Sequence, residues 1–407
     1  MNSKLQKSIV NVFRILVVGY AMLAVFYFLK RPAGSGDEAL FISDLQFIEA
    51  EGWIAAIKKG ISIPYMLLAY PFSQFLESFI ALRLVNVLLF LGLAAYFYKI
   101  RSVKLTNFYF LLLFFYSTVG YFLFGINDTL FAVTLVIFFS EVYFIIRSDK
   151  KENMALLLVA LLLALFTRAL FIVFIPAVLV ALYFLFRSKN YNPKSLWLPV
   201  AVLVLLLCIN IPSLQENGNL SYDMKDPPAG VEANWAQRQY HAQLLVNEGK
   251  LNNYNHPTWT ETDAYLEKNG KESLPDDLIS GMTFDIGLTL KEFCKDLFYI
   301  GMFSTRQLGL ILPLILFLGF REIFKNRKIT PESYIPLITL LMMLIFALII
   351  ISYVELRWLG SIFIMAILYY SISEKEKKIS VQLSLVNYIF ISGICLYGMY
   401  GFIQKLI

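Results

Sequence analysis

Long apolar runs separated by short charged segments govern this chain. The first run, residues 9–29, holds about twenty apolar positions, the length that crosses a bilayer core. Similar runs cover residues 82–98, 108–124, 130–146, 196–211, 297–320, 335–353, 359–372 and 383–402. The block 154–186 carries a single charge, Arg168, near its middle. One tilted helix through it would place Arg187, Lys189 and Lys194 opposite to the other basic loops. Two short helices meeting near Thr167 and Arg168 keep every basic cluster on one side. The pattern therefore predicts an all-α polytopic membrane protein of about eleven spans, with the Lys4 and Lys7 end inside and Arg31 onward outside.

Two outer segments are not simple connections. In residues 30–81, Phe41, Leu45 and Ile48 recur at helical spacing, with Asp44, Glu51, Lys58 and Lys59 off that stripe. This predicts a helix lying in the membrane interface. Pro64 and Pro71 are expected to break the chain around residues 65–70. Residues 213–296 are polar, contain Pro227-Pro228, and include a predicted helix over 232–248 with Trp235, Arg238, Tyr240 and His241. They read as a small outer cap. The chain thus divides into a transmembrane module (1–212), a cap (213–296) and further transmembrane helices (297–407).

Composition agrees with this reading: 58% of residues are hydrophobic and 16% charged. The net charge of +6 is no nucleic-acid signal, because the basic residues gather in short loops. Three cysteines, Cys208, Cys294 and Cys395, exclude a disulfide scaffold. Cys208 and Cys294 bracket the polar segment and would pair only in an oxidising compartment. No Cys/His spacing points to a metal and no cofactor is implied, though an acidic pair could hold a divalent cation. The first run reads as an uncleaved signal anchor, because no small-residue cleavage site follows it.

This topology collects Asp37, Glu38, Asp44, Arg83, Asn127, Asp128, Arg168, Arg306, Glu355 and Arg357 at the outer face. Arginine suits phosphate, which its planar fork grips through two parallel hydrogen bonds. A carboxylate there can take a proton from a hydroxyl. Arg168 inside an apolar block costs about 2.5–3.5 kcal/mol at a helix centre, which asks for a function. Asp128 also suits a helix start, and Arg83 an interfacial side chain reaching for water. His241 lies on an amphipathic helix, where a surface position competes with a site role.

A first span, an outer loop with Gly36-Asp37-Glu38, interfacial helices and then Arg83-Leu84 opening the second span resemble the GT-C glycosyltransferases. Within that group the chain most resembles the branch of the dolichyl-phosphate-mannose protein mannosyltransferases, which includes the bacterial aminoarabinose transferases. Asn127-Asp128 resembles its second acidic position, Thr167-Arg168 followed by Pro176 its Arg-then-Pro pattern, and Glu355-Leu356-Arg357-Trp358 its Arg-aromatic motif before a late span. The resemblance implies a GT-C-like bundle in a membrane such as the bacterial inner membrane, with its site facing outward. It implies a polyprenyl-phosphate-sugar donor, a lipid, glycan or protein acceptor, and inverting transfer without a covalent intermediate. Asp37, with Glu38 beside it, would be the catalytic acid pair, and Arg83, Asp128, Arg168, Arg357 and His241 would bind substrate. The chain is shorter than most members, and its large loop follows the seventh span rather than closing the chain. A flippase of lipid-linked sugars would share the arginines without needing a base. A polymerase or ligase would use a diphosphate donor instead.

Overall fold

The computed structural model describes residues 3–34, 36–192, 196–223, 227 and 230–406, so Ser35, Lys194 and Pro228 lie outside the described residues. It is 78% helical. Two compact units emerge: Met1–Asp223 with Ser304–Thr339 and Arg357–Ile407, and Met224–Phe303 with Leu340–Leu356.

The first unit opens with α1 (Ser3–Leu29), α2 (Glu38–Lys59), α3 (Ile63–Ser73), α4 (Ser78–Ala95) and α5 (Thr106–Thr118). It continues through α6 (Asp128–Ile146), α7 (Ala155–Thr167), α8 (Phe171–Ser188) and α9 (Trp197–Asn217). The chain then forms α10 (Trp235–Asn247), α11 (Trp259–Asn269), α12 (Leu278–Phe284), α13 (Ile286–Leu308), α14 (Ile311–Asn326), α15 (Tyr334–Leu348), α16 (Gly360–Lys375) and α17 (Val381–Leu406). Among the described residues, eight helices are long and apolar enough to cross a membrane, the architecture of a multi-pass membrane protein. The pair α13–α14 would make a ninth but bends by 114°. Gly309 supplies the bend with φ +60°, a conformation that costs other residues dearly.

The expected third and fifth spans are α5 and α7, each a helix of 13 residues. At 1.5 Å per residue each reaches about 20 Å, short of the roughly 30 Å hydrocarbon core. Residues 154–186 do divide where the lone charge falls: α7 ends at Thr167, and Arg168 is extended at φ −155°, ψ 136°. The far ends of that hairpin meet in a small parallel pairing of Glu152–Asn153 with Tyr191–Asn192.

Helix α6 is the axis of the first unit. It is buried on nearly every side and packs against α4, α7, α8 and α16. Helix α1 packs against α5 and α17. Beneath the α2–α3 segment, Phe41, Leu45 and Ile48 bury with Tyr65, Met66, Leu82, Val85 and Leu130, as their spacing requires. Asp44 departs from its expected place off that stripe. It is buried and paired with Lys59 at 3.2 Å, because position 44 follows 41 by one turn and faces the same way. Pro71 lies within helix α3, and Pro64 occupies its first turn, where the missing N–H is harmless. Neither breaks residues 65–70.

The second unit contains α10, α11 and α12, each started by a reciprocal capping box: Asn234 with Gln237, Thr258 with Glu261, and Asp277 with Ser280. Ala233, Tyr240, Leu266, Leu274 and Ile350 form its core. This unit holds the expected helix over 232–248, of which α10 is the helical part.

Candidate active site

Four charged side chains from four distant positions meet in the first unit. Asp37 stands at the start of α2, and Asp128 at the start of α6. Arg168 sits in the break between α7 and α8, and Arg357 in the turn before α16. They alternate in sign. Arg168 Nη1 bonds Asp128 Oδ1. Arg357 Nη1 donates to Asp128 Oδ2 at 3.1 Å, and its Nη2 to Asp37 Oδ2 at 2.8 Å. The Arg357 guanidinium also lies 4.3 Å from the Tyr121 ring centre, a cation–π contact. Asp128 and Arg357 are buried, whereas the Asp37 side chain keeps 24% exposure.

Local structure explains each placement. Asn86 Nδ2 holds the carbonyls of Phe124 and Ile126. Gly125 passes so close to α4 that a Cβ there would lie 2.4 Å from Leu82 Cβ. These contacts fix the turn that launches α6, and hence Asp128. The Thr167 carbonyl accepts from Ser62 Oγ at 2.7 Å and from Asn127 Nδ2 at 3.3 Å. That clamp sets the break that carries Arg168, and the Phe171 N–H then bonds the Arg168 carbonyl at 3.0 Å to start α8.

Glu38 and Arg83 form a separate, closed unit next to Asp37. Arg83 Nε and Nη2 donate to the two Glu38 oxygens at 2.7 Å each. Its remaining N–H groups reach the carbonyls of Phe28 (3.1 Å), Arg31 (3.2 Å) and Pro32 (3.3 Å). A guanidinium has five donors, and these five bonds use them all. Glu38, with no exposed surface, also accepts from the N–H groups of Gly125 (2.8 Å) and Gly34 (3.1 Å). Arg83 therefore has no donor left for a phosphate, and Glu38 no open face for a substrate hydroxyl. Both expected site residues instead tie the segment between α1 and α2 to α4 and to the turn before α6.

His241 lies in the second unit. It is buried, its Nδ1 is 3.3 Å from Thr262 Oγ1, and its ring packs on Tyr265. Burial holds its pKa below the usual histidine value against the acids Glu261 and Glu248. All three cysteines are free thiols, Cys208 and Cys294 being exposed. Among the described residues, no group of three His, Cys, Asp or Glu side chains is arranged to hold a metal ion.

Glu141, buried near the other end of α6, accepts from Tyr96 Oη and Arg101 Nε at 2.6 Å each. Its signal was available: a carboxylate inside the apolar run 130–146 needs a partner as much as Arg168 does. Comparison of the chain with known protein families, curated proteins and solved structures gives no match.

Proposed function

We propose that this protein is an integral membrane glycosyltransferase that moves a sugar from a polyprenyl-phosphate donor to a hydroxyl acceptor. The convergence of Asp37, Asp128, Arg168 and Arg357 supports this reading. Arginines flanked by carboxylates at the end of a helix bundle can exchange those carboxylates for a phosphate whose lipid tail stays in the apolar phase. Arg357 and Arg168 would hold the donor phosphate. Asp37, the most open of the four, would then be released from Arg357 and face the acceptor.

The transfer is a single displacement. The acceptor oxygen attacks the anomeric carbon from the side opposite the phosphate and gives its proton to Asp37. The bond between anomeric carbon and phosphate oxygen breaks, and the leaving polyprenyl phosphate keeps the electron pair beside Arg357 and Arg168. Asp128 holds both arginines in register. The sugar is inverted at that carbon, and the acceptor is a lipid, glycan or protein hydroxyl. The proposed setting is the outer face of a bacterial inner membrane.

The test is transfer in membranes holding the full chain, with polyprenyl-phosphate sugars as donors. Asp37→Asn is expected to lose roughly 10²–10⁴-fold in turnover, the usual worth of a general base. Full activity in that variant removes the assigned base. Turnover only with a diphosphate-linked oligosaccharide would favour a polymerase or ligase, and movement of intact donor across the bilayer without transfer would favour a flippase.

A further inference from the structure

A second polar site lies at the opposite end of the same helices. Helix α16 begins three residues after Arg357 and carries Glu374 in its last turn. At 1.5 Å per residue those two side chains are separated by about 25 Å of helix. Around Glu374 is a cavity of about 440 Å³, lined also by Lys7, Asn11, Arg14, Asn107 and Tyr388. That volume lies within the range of ligand pockets. Lys7, Asn11 and Arg14 are spaced i, i+4, i+7 and so occupy one stripe of α1.

The polar groups are arranged in a directed series. Arg14 Nε and Nη2 donate to Asn107 Oδ1 at 3.2 and 2.7 Å. Asn107 Nδ2 donates to Tyr388 Oη at 3.0 Å, and that hydroxyl donates to the Glu374 carboxylate at 2.7 Å. Tyr388 is itself held by stacking on Phe13 at 4.6 Å. The cation and the anion thus share one cavity, joined through two neutral side chains rather than to each other. Among the described residues, no ion pair neutralises Arg14, Lys7 or Glu374. This contrasts with the outer cluster, where each arginine meets a carboxylate directly. Charges held apart at the end of apolar helices are costly unless something of both signs fills the space.

We propose that this cavity binds a phosphate ester that bears a primary ammonium group and is carried on a lipid, that is, the headgroup of an aminophospholipid. Arg14 and Lys7 take the phosphate, and Glu374 takes the ammonium. A carboxylate favours a primary ammonium, which offers three N–H donors, over a trimethylammonium, which offers none. Val10, Ile379, Val381 and Leu385 supply apolar wall, and Val381 is exposed on α17. An apolar margin of this kind accommodates acyl chains and makes the membrane the source of the ligand. Pockets between membrane helices that carry basic residues are known to select lipid headgroups in this way.

The test is native mass spectrometry of the full-length, delipidated protein titrated with phosphatidylethanolamine, phosphatidylcholine or phosphatidylglycerol. Phosphatidylethanolamine is expected to bind roughly tenfold or more tightly than the other two, the effect of one charge-assisted hydrogen bond. Glu374→Gln should erase that preference while leaving phosphatidylglycerol binding in place. Arg14→Gln should weaken all three lipids. Lys7→Gln, at an exposed position that no folding contact requires, should weaken them in the same direction and guards against misfolding of the Arg14 variant. Equal or tighter binding of phosphatidylglycerol to the wild-type protein overturns the proposal, as does unchanged lipid binding in both cation variants. Soluble O-phosphoethanolamine binding as tightly as the lipid would overturn the lipid source.

Discussion

Asp37 and Glu38 are adjacent in the chain, carry the same charge and open the same helix, yet their surroundings are opposite. Glu38 has no exposed surface and accepts four hydrogen bonds, two of them from an arginine whose every donor is used. Asp37 keeps a quarter of its side chain open and meets Arg357, which is shared with Asp128. Successive residues at a helix start point about 100° apart, so one carboxylate turns toward α4 while the other turns toward the convergence of α6 and α16. The difference separates a carboxylate locked into the fold from one that stays partly accessible. Position in the chain alone does not say which of two adjacent carboxylates stays accessible.

The strongest way to break this contrast is to remove Glu38. Glu38→Gln leaves the Arg83 guanidinium buried without its counter-charge, and breaking such a pair costs about 3–5 kcal/mol. The expected outcome is loss of monodisperse protein in detergent and a sharply lowered melting temperature. The double variant Glu38→Gln/Arg83→Gln should recover part of that loss, since the two residues act as one unit. If Glu38→Gln instead folds like the parent and loses only turnover, Glu38 belongs to the chemistry.

Asp37→Asn is the mirror experiment. Its partner Arg357 retains Asp128, so the melting temperature should fall by little. A partly exposed pair is worth about 0–1 kcal/mol. Turnover should fall by roughly 10²–10⁴-fold, so that stability and activity separate at adjacent residues. Gly125→Ala is expected to fall between them. The added Cβ would sit 2.4 Å from Leu82 Cβ and 3.2 Å from Glu38 Oε1, overpacking that costs about 1–3 kcal/mol. Its activity, measured per folded molecule, should fall less than that of Asp37→Asn, because the turn bears on the site only by positioning Asp128.

The sequence carried the materials of this contrast but not its direction. The buried stripe Phe41, Leu45 and Ile48 was legible because three apolar residues at helical spacing allow one face only. The break at Arg168 was legible because a charge in an apolar block must interrupt it or pay for burial. The start of α6 was legible because Asp128 suits a helix start, although the cap position falls on Asn127, which makes no side-chain capping bond. What decides between Asp37 and Glu38 is the approach of α4 and of the Gly125 turn, which comes from residues 45 and 87 positions away. No local pattern encodes such an approach. Among the described residues eight helices are long and apolar enough to span, against about eleven expected spans, because apolar content does not report helix length: the Phe-rich third run curls into a short turn after residue 118. The cavity around Arg14 and Glu374 was hidden because the two groups lie 360 positions apart and each, taken alone, reads as a helix-end charge.

Asp44, a third carboxylate on α2, sharpens the comparison with the smallest effect. It is buried like Glu38, but its partner Lys59 is half exposed and gives it one bond at 3.2 Å. Burial raises its pKa above the ordinary 3.8, and Lys59 only partly opposes that shift. A carboxyl whose folded value is raised contributes stability that is complete below the unfolded value. That stability is lost as the pH rises through the folded one. Asp44→Asn, which mimics the neutral form, should therefore match the parent near about pH 4 and exceed it at about pH 7. The gain should stay below about 1 kcal/mol, because the Lys59 pair is lost at the same time. Melting temperatures of the two proteins across that range measure the difference. If the parent proves more stable than Asp44→Asn at neutral pH, Lys59 outweighs desolvation and Asp44 is a weaker version of the Glu38 lock. A difference that grows as the pH rises places it instead as a carboxyl the fold holds without a full partner, distinct from both of its neighbours at the start of the helix.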